Sequence, residues 1–307
     1  MRYRVIVNPA AGRGRCLKIW QGLEPLARKL GLDFDAYLTT GPVDATAQAK
    51  AALNLDYDAV VAVGGDGTIA EVVNATCGTQ TALGVIPAGT GNDFARSAGL
   101  PRVPEVALRA LSEARVRRLD VGRVNGRFFV NVGGAGFDAE VARLSNTRAR
   151  FLSGTPAYVF SVLWTLASYR PTRLIMTLDG VAREAPATMI AVANGSYYGG
   201  GMWITPEAKM DDGLLDVCVI GPMGRVELLA AFPRVFKGTH VTHPRISFYR
   251  ARSVRLEVAE PGRTVYAHAD GEHLGALPLE FSVSAGAQSV LYPDGNIVEV
   301  DGSWANQ

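Results

Sequence analysis

Short apolar runs alternate with helically spaced apolar positions through the first third of the chain. Tyr3 to Val7, Phe34 to Leu38, Ala59 to Val63 and Ala82 to Ile86 read as strands. The run Ala59-Val60-Val61-Ala62-Val63 is apolar throughout and β-branched at three positions, the pattern of a buried strand. Leu17, Trp20, Leu23, Leu26, Ala27 and Leu30 fall at helical spacing and predict a helix over Leu17 to Leu30, stopped by Gly31. Asp44 to Leu53 and Pro104 to Ala114 predict further helices, and Ile69, Val72 and Val73 mark one after the third strand. Such alternation predicts a mostly parallel, doubly wound α/β sheet, whose ligands bind at the carboxyl ends of the strands. Glycine-rich loops follow Val7, Val63 and Ile86, at those ends.

From about Leu119 the rhythm changes. Val121 to Val124, Phe128 to Val132, Arg173 to Leu178, Met189 to Ala193, Leu215 to Val219, Val254 to Val258, Thr264 to His268 and Leu279 to Val283 read as short strands. Asn125-Gly126, Asp179-Gly180 and Asp270-Gly271 are turn signals between them. The pattern predicts a mainly antiparallel β-sandwich or barrel, interrupted by helical insertions near Pro156 to Tyr169 and Val226 to Phe236. The fold class is therefore α/β plus β: an N-terminal doubly wound domain over residues 1–118 and a C-terminal mainly antiparallel β-sandwich with helical insertions over 119–290. The boundary rests on the change of periodicity, because no linker marks it.

Composition adds exclusions. The chain has 307 residues, 48% hydrophobic and 20% charged, enough for sizeable cores. A net charge of +2 gives no global field for nucleic acid. Three cysteines, Cys16, Cys77 and Cys218, lie far apart, with no Cys-x-x-Cys pair and no disulfide framework, which fits a reducing cytoplasm. Met1 runs straight into a strand, with no secretory segment. The most apolar stretch, Pro156 to Ala167, is short of the ~20 residues that span a bilayer. It carries a basic rim (Arg143, Arg148, Arg150, Arg170, Arg173), so it suits core packing first and an anionic membrane surface second.

The chemistry concentrates in Gly64-Gly65-Asp66-Gly67-Thr68-Ile69-Ala70-Glu71. Glycines in a strand-to-helix turn let backbone N–H groups approach an oxyanion. Asp66 would repel a phosphate unless a cation lay between them, so loop and carboxylate together suggest phosphate with Mg²⁺, and hence phosphoryl transfer. Gly65, Gly67 and Ala70 also fit a dinucleotide fingerprint, but Leu83 to Ala88 lacks the ribose-binding acid, and no Gly-Lys-Ser/Thr follows. Gly89-Thr90-Gly91-Asn92-Asp93 opens a helix, where Asn92 or Asp93 would either cap it or, for Asp93, join a metal. Asn8 to Arg15 is an even choice between a phosphate loop and a plain glycine turn. Asp270-Gly271-Glu272 reads first as a hairpin turn. It is also a pair of carboxylates that, on an extended peptide, would share a face and serve as a general base. Lys209 to Leu214 reads as a turn before a cation site. The histidines at 240, 243, 268 and 273 show no ligand spacing and are taken as ordinary.

Taken in order along almost the whole chain, these motifs resemble the diacylglycerol-kinase catalytic family, and within it the soluble bacterial lipid kinases related to sphingosine kinases. The matching residues are Asn8-Pro9 with its glycines, Thr39-Thr40, Gly64 to Glu71, Gly89 to Ala95, Asn131 to Asp138, Ala193-Asn194-Gly195, Lys209 to Asp216 and Asp270-Gly271-Glu272. The first glycine-aspartate motif alone is shared with NAD kinases and phosphofructokinases; the ordered set is more specific. The resemblance implies a nucleotide-binding domain at 1–118, a lipid-substrate domain at 119–290 and a tail, 291–307, that returns to the first domain. It implies ATP contacts at Asn8, Pro9, Ala10, Ala11, Gly12, Thr40, Gly65, Asp66, Gly67, Thr68, Ile69, Ala70, Glu71, Thr90 and Asn92. It implies a catalytic Mg²⁺ at Asp66 and Asp93, and a structural Mg²⁺ at Asp212 with the carbonyls of Lys209 and Leu214. Asp270 or Glu272 would be the general base, and no acidic position departs from the pattern. The expected activity is ATP- and Mg²⁺-dependent phosphorylation of a lipid hydroxyl, with diacylglycerol the leading acceptor. Sphingoid base, phosphatidylglycerol or NAD as acceptor, and a nucleotide-sensing module without turnover, are the rivals. The expected partners are ATP, a lipid alcohol and, transiently, the inner face of the membrane, with no nucleic acid; homodimerisation is left open.

Overall fold

The computed structural model describes residues 1–147, 165, 169–294, 297–300 and 303–306. The apolar stretch from 156 to 164 and most of its basic rim lie outside the described residues. Two compact units are present. The first comprises Met1–Val121, Met210–Asp212 and Ser284–Gln307; the second comprises Gly122–Lys209 and Gly213–Val283.

In the first unit the elements alternate: β1 (Arg2–Val7), α1 (Arg15–Lys29), β2 (Asp33–Leu38), α2 (Asp44–Ala52), β3 (Ala59–Gly64), α3 (Asp66–Thr76), β4 (Ala82–Pro87), α4 (Asp93–Ser97), α5 (Pro104–Leu111) and the start of β5 (Ala114–Val124). The strands lie in the order β2-β1-β3-β4, all parallel, with Val5 opposite both Ala36 and Val61. β3 and β4 are buried at every position, which is why each is an uninterrupted apolar run. Trp20, Leu23 and Ala27 of α1 and Leu108 and Leu111 of α5 pack on Val5, Val7, Val61 and Val63, and α2 and α3 pack against the same strands. Because the strands are parallel, their carboxyl ends share one edge, and the loops after β1, β3 and β4 meet there.

The second unit is an antiparallel β-sandwich with helical insertions. After β6 (Arg127–Phe129) come β7 (Val132–Gly136), α6 (Phe137–Thr147), β8 (Thr172–Leu178), β9 (Val181–Ala187), β10 (Met189–Ala193), β11 (Tyr197–Tyr198), β12 (Met202–Trp203) and β13 (Leu215–Ile220). The chain continues through α7 (Arg225–Phe236), β14 (Ile246–Ala251), β15 (Ser253–Val258), β16 (Tyr266–Ala269), β17 (Glu272–Ala276) and β18 (Leu279–Pro293). β18 continues past residue 283 into the first unit, where Val290 pairs with Leu83. One sheet has the order β14-β13-β10-β7-β16-β17; facing it, β15 pairs with β8 and with the start of β18, and β9 closes the edge. Strand periodicity sorts β13 cleanly: Leu215, Val217 and Val219 enter the core between the sheets. Cys218 and Ile220 enter a second core with Phe137, Val141 and Val235. Phe129 and Phe281 meet edge to face in the first core, ring centroids 6.0 Å apart.

The structure departs from the sequence reading in identifiable places. The run Phe128 to Val132 is two strands: β6 ends at Phe129, and a side chain takes the backbone N–H groups of Val130, Asn131 and Val132. The strand beginning at Leu279 extends ten residues beyond Val283, into a second buried apolar stretch at Val290, Leu291 and Tyr292. β9, β14 and β17 were not foreseen; exposed positions dominate β9 and β17 and make up half of β14, so no apolar alternation marks them. No described helix is long and apolar enough to cross a membrane.

Candidate functional site

At the carboxyl edge of the first unit's sheet, Asn8 joins two loops. Its N–H donates to the Val63 carbonyl (3.0 Å), its Nδ2 donates to Thr68 Oγ1 (3.0 Å) and its Oδ1 accepts from the Ala10 N–H (3.1 Å). Pro9, Ala10 and Ala11 lead into a single 3₁₀ turn, and Gly12 there has φ +59°; a Cβ on it would lie 2.3 Å from the Ala88 carbonyl oxygen. Gly65 and Gly89 touch backbone to backbone, since a Cβ on Gly89 would lie 2.4 Å from Gly65 Cα. Glycine is required because the loops after β3 and β4 close on each other with no room for a side chain. The Gly89 N–H donates to Asn92 Oδ1 (3.0 Å), holding the second loop.

Asp66 opens α3, whose first N–H groups, in the turn Asp66-Gly67-Thr68, have no helical carbonyl to bond. Asp66 Oδ1 accepts the N–H of Phe94 at the start of α4 (2.8 Å), next to buried Asp93. Two carboxylates thus come to one corner, beside a helix N-terminus suited to phosphate. Among the described residues no group of three or more His, Cys, Asp or Glu side chains could hold a metal ion. Carboxylate oxygens of this kind, one or two at a time, are nevertheless the donors that suit Mg²⁺. Thr90 is exposed beside this corner, whereas the side chains of Thr68 and Ile69 are buried and leave only their backbone to a ligand.

Two expected nucleotide contacts also make bonds within the fold. Thr40 gives its N–H (2.7 Å) and hydroxyl (2.9 Å) to Asp44 Oδ2, and these bonds hold that carboxyl below the usual carboxylate range. Glu71 Oε2 accepts the Ala45 N–H (3.1 Å), tying α3 to the N-terminus of α2. Lys209, Asp212 and Leu214 lie along the connecting segment before β13, where Gly213 has φ +74°. Burial pushes the Cys16 and Cys77 thiols up to about 11, so neither is a nucleophile at neutral pH.

In the second unit, Asp270 and Gly271 have φ +47° and +80°, and Ala269 pairs with Glu272 across them. This is the two-residue hairpin turn that Asp-Gly signals. The peptide is not extended there, so the two acids do not share a face by strand alternation. Asp270 Oδ2 accepts from Val130 (2.6 Å) and Oδ1 from Asn131 (2.9 Å) and Val132 (3.2 Å), at the start of β7. Glu272 is exposed and ion-paired with Arg127. Asn194 Nδ2 donates to the Val130 carbonyl (3.0 Å), bracing the same segment.

Behind the hairpin lies a pair that the sequence reading missed. His268, 3% exposed, meets Asp138 Oδ2 through Nε2 at 2.9 Å and stacks on the Tyr198 ring. Burial lowers the His268 pKa, but the charge and hydrogen bond of Asp138, with the charge of Asp270, outweigh it and leave it raised. Asp138 also closes one side of an apolar pocket lined by Val141, Met202, Ile204, Leu228 and Phe232 among others; among the described residues it is the one charged member of that lining.

Residues 2–124 match the model of the diacylglycerol kinase catalytic domain, and residues 131–292 that of the YegS C-terminal NAD kinase beta sandwich-like domain. A diacylglycerol kinase of Mycobacterium tuberculosis is 36% identical over 295 residues, 94% of each chain. One of Bacillus subtilis is 32% identical over 285 residues, 91% of this chain and 92% of that one. A crystal structure of a candidate diacylglycerol kinase from Bacillus anthracis str. Sterne superposes with a TM-score of 0.79 at 27% identity, covering 95% of both chains.

Proposed function

The chain belongs to the diacylglycerol kinase family, and from that membership we propose that it moves the γ-phosphoryl group of ATP to the primary hydroxyl of diacylglycerol, giving phosphatidic acid. The observation that favours a lipid acceptor is the pocket in the second unit, whose described lining is apolar apart from Asp138 and the Tyr198 ring with its hydroxyl. Acyl chains suit such a lining; the adenosine of NAD calls for several placed polar groups to fix its base and ribose.

The geometry of each unit supports the following roles. Loop amides after β1 and β3, with the N-terminus of α3, bind the phosphates and stabilise charge on the moving group. Asp66 and Asp93 would hold Mg²⁺, which when bound supplies positive charge between the ATP phosphates. Asp270, with Glu272 beside it, orients the acceptor hydroxyl and takes its proton as the new O–P bond forms and ADP leaves. The three N–H groups on Asp270 hold its carboxylate in one orientation for this task. The enzyme works as a peripheral protein at the cytoplasmic face of the membrane, where its acceptor resides.

The test is incubation with labelled ATP and Mg²⁺ against diacylglycerol, a sphingoid base, phosphatidylglycerol and NAD. Label in phosphatidic acid supports the reading. Label in another product, or none with any acceptor, overturns it.

A further inference from the structure

Helix α7 is apolar on two opposite faces. Leu228, Ala231, Phe232 and Val235 on one face line the pocket. The other face carries Val226, Leu229, Ala230, Pro233 and Phe236, spaced at three or four residues along one stripe. All five are exposed, Val226 at 83%, Leu229 at 48% and Phe236 at 44%. A helix apolar nearly all round is ordinarily buried. Here half of it faces water, and Val241, 41% exposed, follows in the next turn of chain.

The stripe is continuous with the pocket. Leu229 is both exposed and part of the pocket lining, and the Phe236 ring packs edge-on against the pocket residue Phe232, centroids 5.5 Å apart. The charges beside the stripe are mostly cationic. Arg225 and Arg234 lie on the helix, and Lys237 follows it. The helix's one acid, Glu227, is paired with Arg245 at 3.0 Å and lies near His243 at 3.6 Å. An apolar stripe flanked by cations, with no unbalanced acid, complements an anionic phospholipid surface.

We propose that α7 seats this protein on an anionic phospholipid bilayer, its outer stripe entering the lipid interface and its inner face bordering the pocket that receives the acyl chains. The proposal rests on the reading of the acceptor as a membrane lipid. The rim of the pocket then meets the bilayer directly, and a lipid can enter without crossing water.

The test uses the full chain with vesicles of phosphatidylcholine alone and of phosphatidylcholine with phosphatidylglycerol, without ATP. The unmodified protein should float with the anionic vesicles, more weakly with the neutral ones, and detach as salt rises. Val226→Glu with Ala230→Glu places two acids on exposed positions without touching the pocket. The double variant should bind anionic vesicles at least about tenfold more weakly while its turnover on a short-chain, water-soluble diacylglycerol is unchanged. Flotation equal to that of the unmodified protein overturns the proposal, as does failure of the unmodified protein to bind. A dimer in solution that the variant dissociates also overturns it, because the stripe would then cover a second copy of this chain. Absence of turnover on the soluble substrate would instead sink the kinase reading and leave the flotation result standing.

Discussion

Asp270→Asn exchanges a carboxylate that accepts three backbone N–H groups for an amide with one acceptor oxygen. With its oxygen kept at the Oδ1 position, the amide still accepts from Asn131 and Val132 but turns its NH₂ toward the Val130 N–H, which sits 2.6 Å from Oδ2 in the native side chain. One charge-assisted bond is lost and a backbone donor is left facing another donor, a cost of about 1.5–3 kcal/mol. That is a fraction of the ~5–15 kcal/mol that holds a domain together, so the protein stays folded. It should melt roughly 3–12 °C lower, at about 2–4 °C per kcal/mol for units of this size. Loss of a general base lowers turnover by about 10²–10⁴, far beyond what a folded but slightly softened hairpin explains. The control is Glu272→Gln, which breaks only the exposed pair with Arg127, worth about 0–1 kcal/mol. Both variants are assayed on a soluble diacylglycerol well below their melting midpoints, with calorimetric melts alongside. Wild-type turnover from folded Asp270→Asn refutes the assignment. A severe loss in Glu272→Gln alone would move the proton to that residue.

Asp66→Ala should abolish turnover and weaken Mg²⁺-dependent ATP binding in titration calorimetry, since it removes a carboxylate from the metal corner and the acceptor for Phe94; measurable turnover contradicts this. Gly89→Ala puts a Cβ 2.4 Å from Gly65 Cα, forcing the two phosphate loops apart, and the KM for ATP should rise while that for the lipid holds; an unchanged KM for ATP counts against the loop geometry. Asp138→Asn leaves His268 buried without its counter-charge and should cost about 3–5 kcal/mol by denaturant titration. The raised His268 pKa also sets a sign: its contribution is complete below the ordinary value of 6.5 and is lost as pH rises through the folded value, so native stability should fall on the alkaline side, and less so in Asp138→Asn.

Much of the first unit was legible along the chain because its strands are buried on both faces, so apolar runs and strands coincide at β3 and β4. Parallel order follows from the strand–helix alternation, and it alone sends the loops after Val7, Val63 and Ile86 to one edge. Asp66 stood out because a carboxylate in a phosphate-cradling loop calls for a cation beside it. In the second unit, periodicity reported the interior strands and was silent on β9, β14 and β17, in each of which at least half the side chains face water.

The Asp-Gly pair predicted a turn at residue 270, and the turn is there, but nothing local announced that its carboxylate binds Val130, Asn131 and Val132, some 140 residues earlier. His268 looked ordinary, and nothing local tied it to Asp138, 130 residues away, until β16 paired with β7 and set His268 opposite Gly134. The helix over Arg225–Phe236 was foreseen, and its two apolar faces could be read from spacing, yet which one borders a pocket and which one meets water depends on the sheet it packs against. Spacing along a chain records how each residue is buried within its own element. Partners brought in from distant strands are chosen by pairing register and packing, and these exist only once the whole chain has folded.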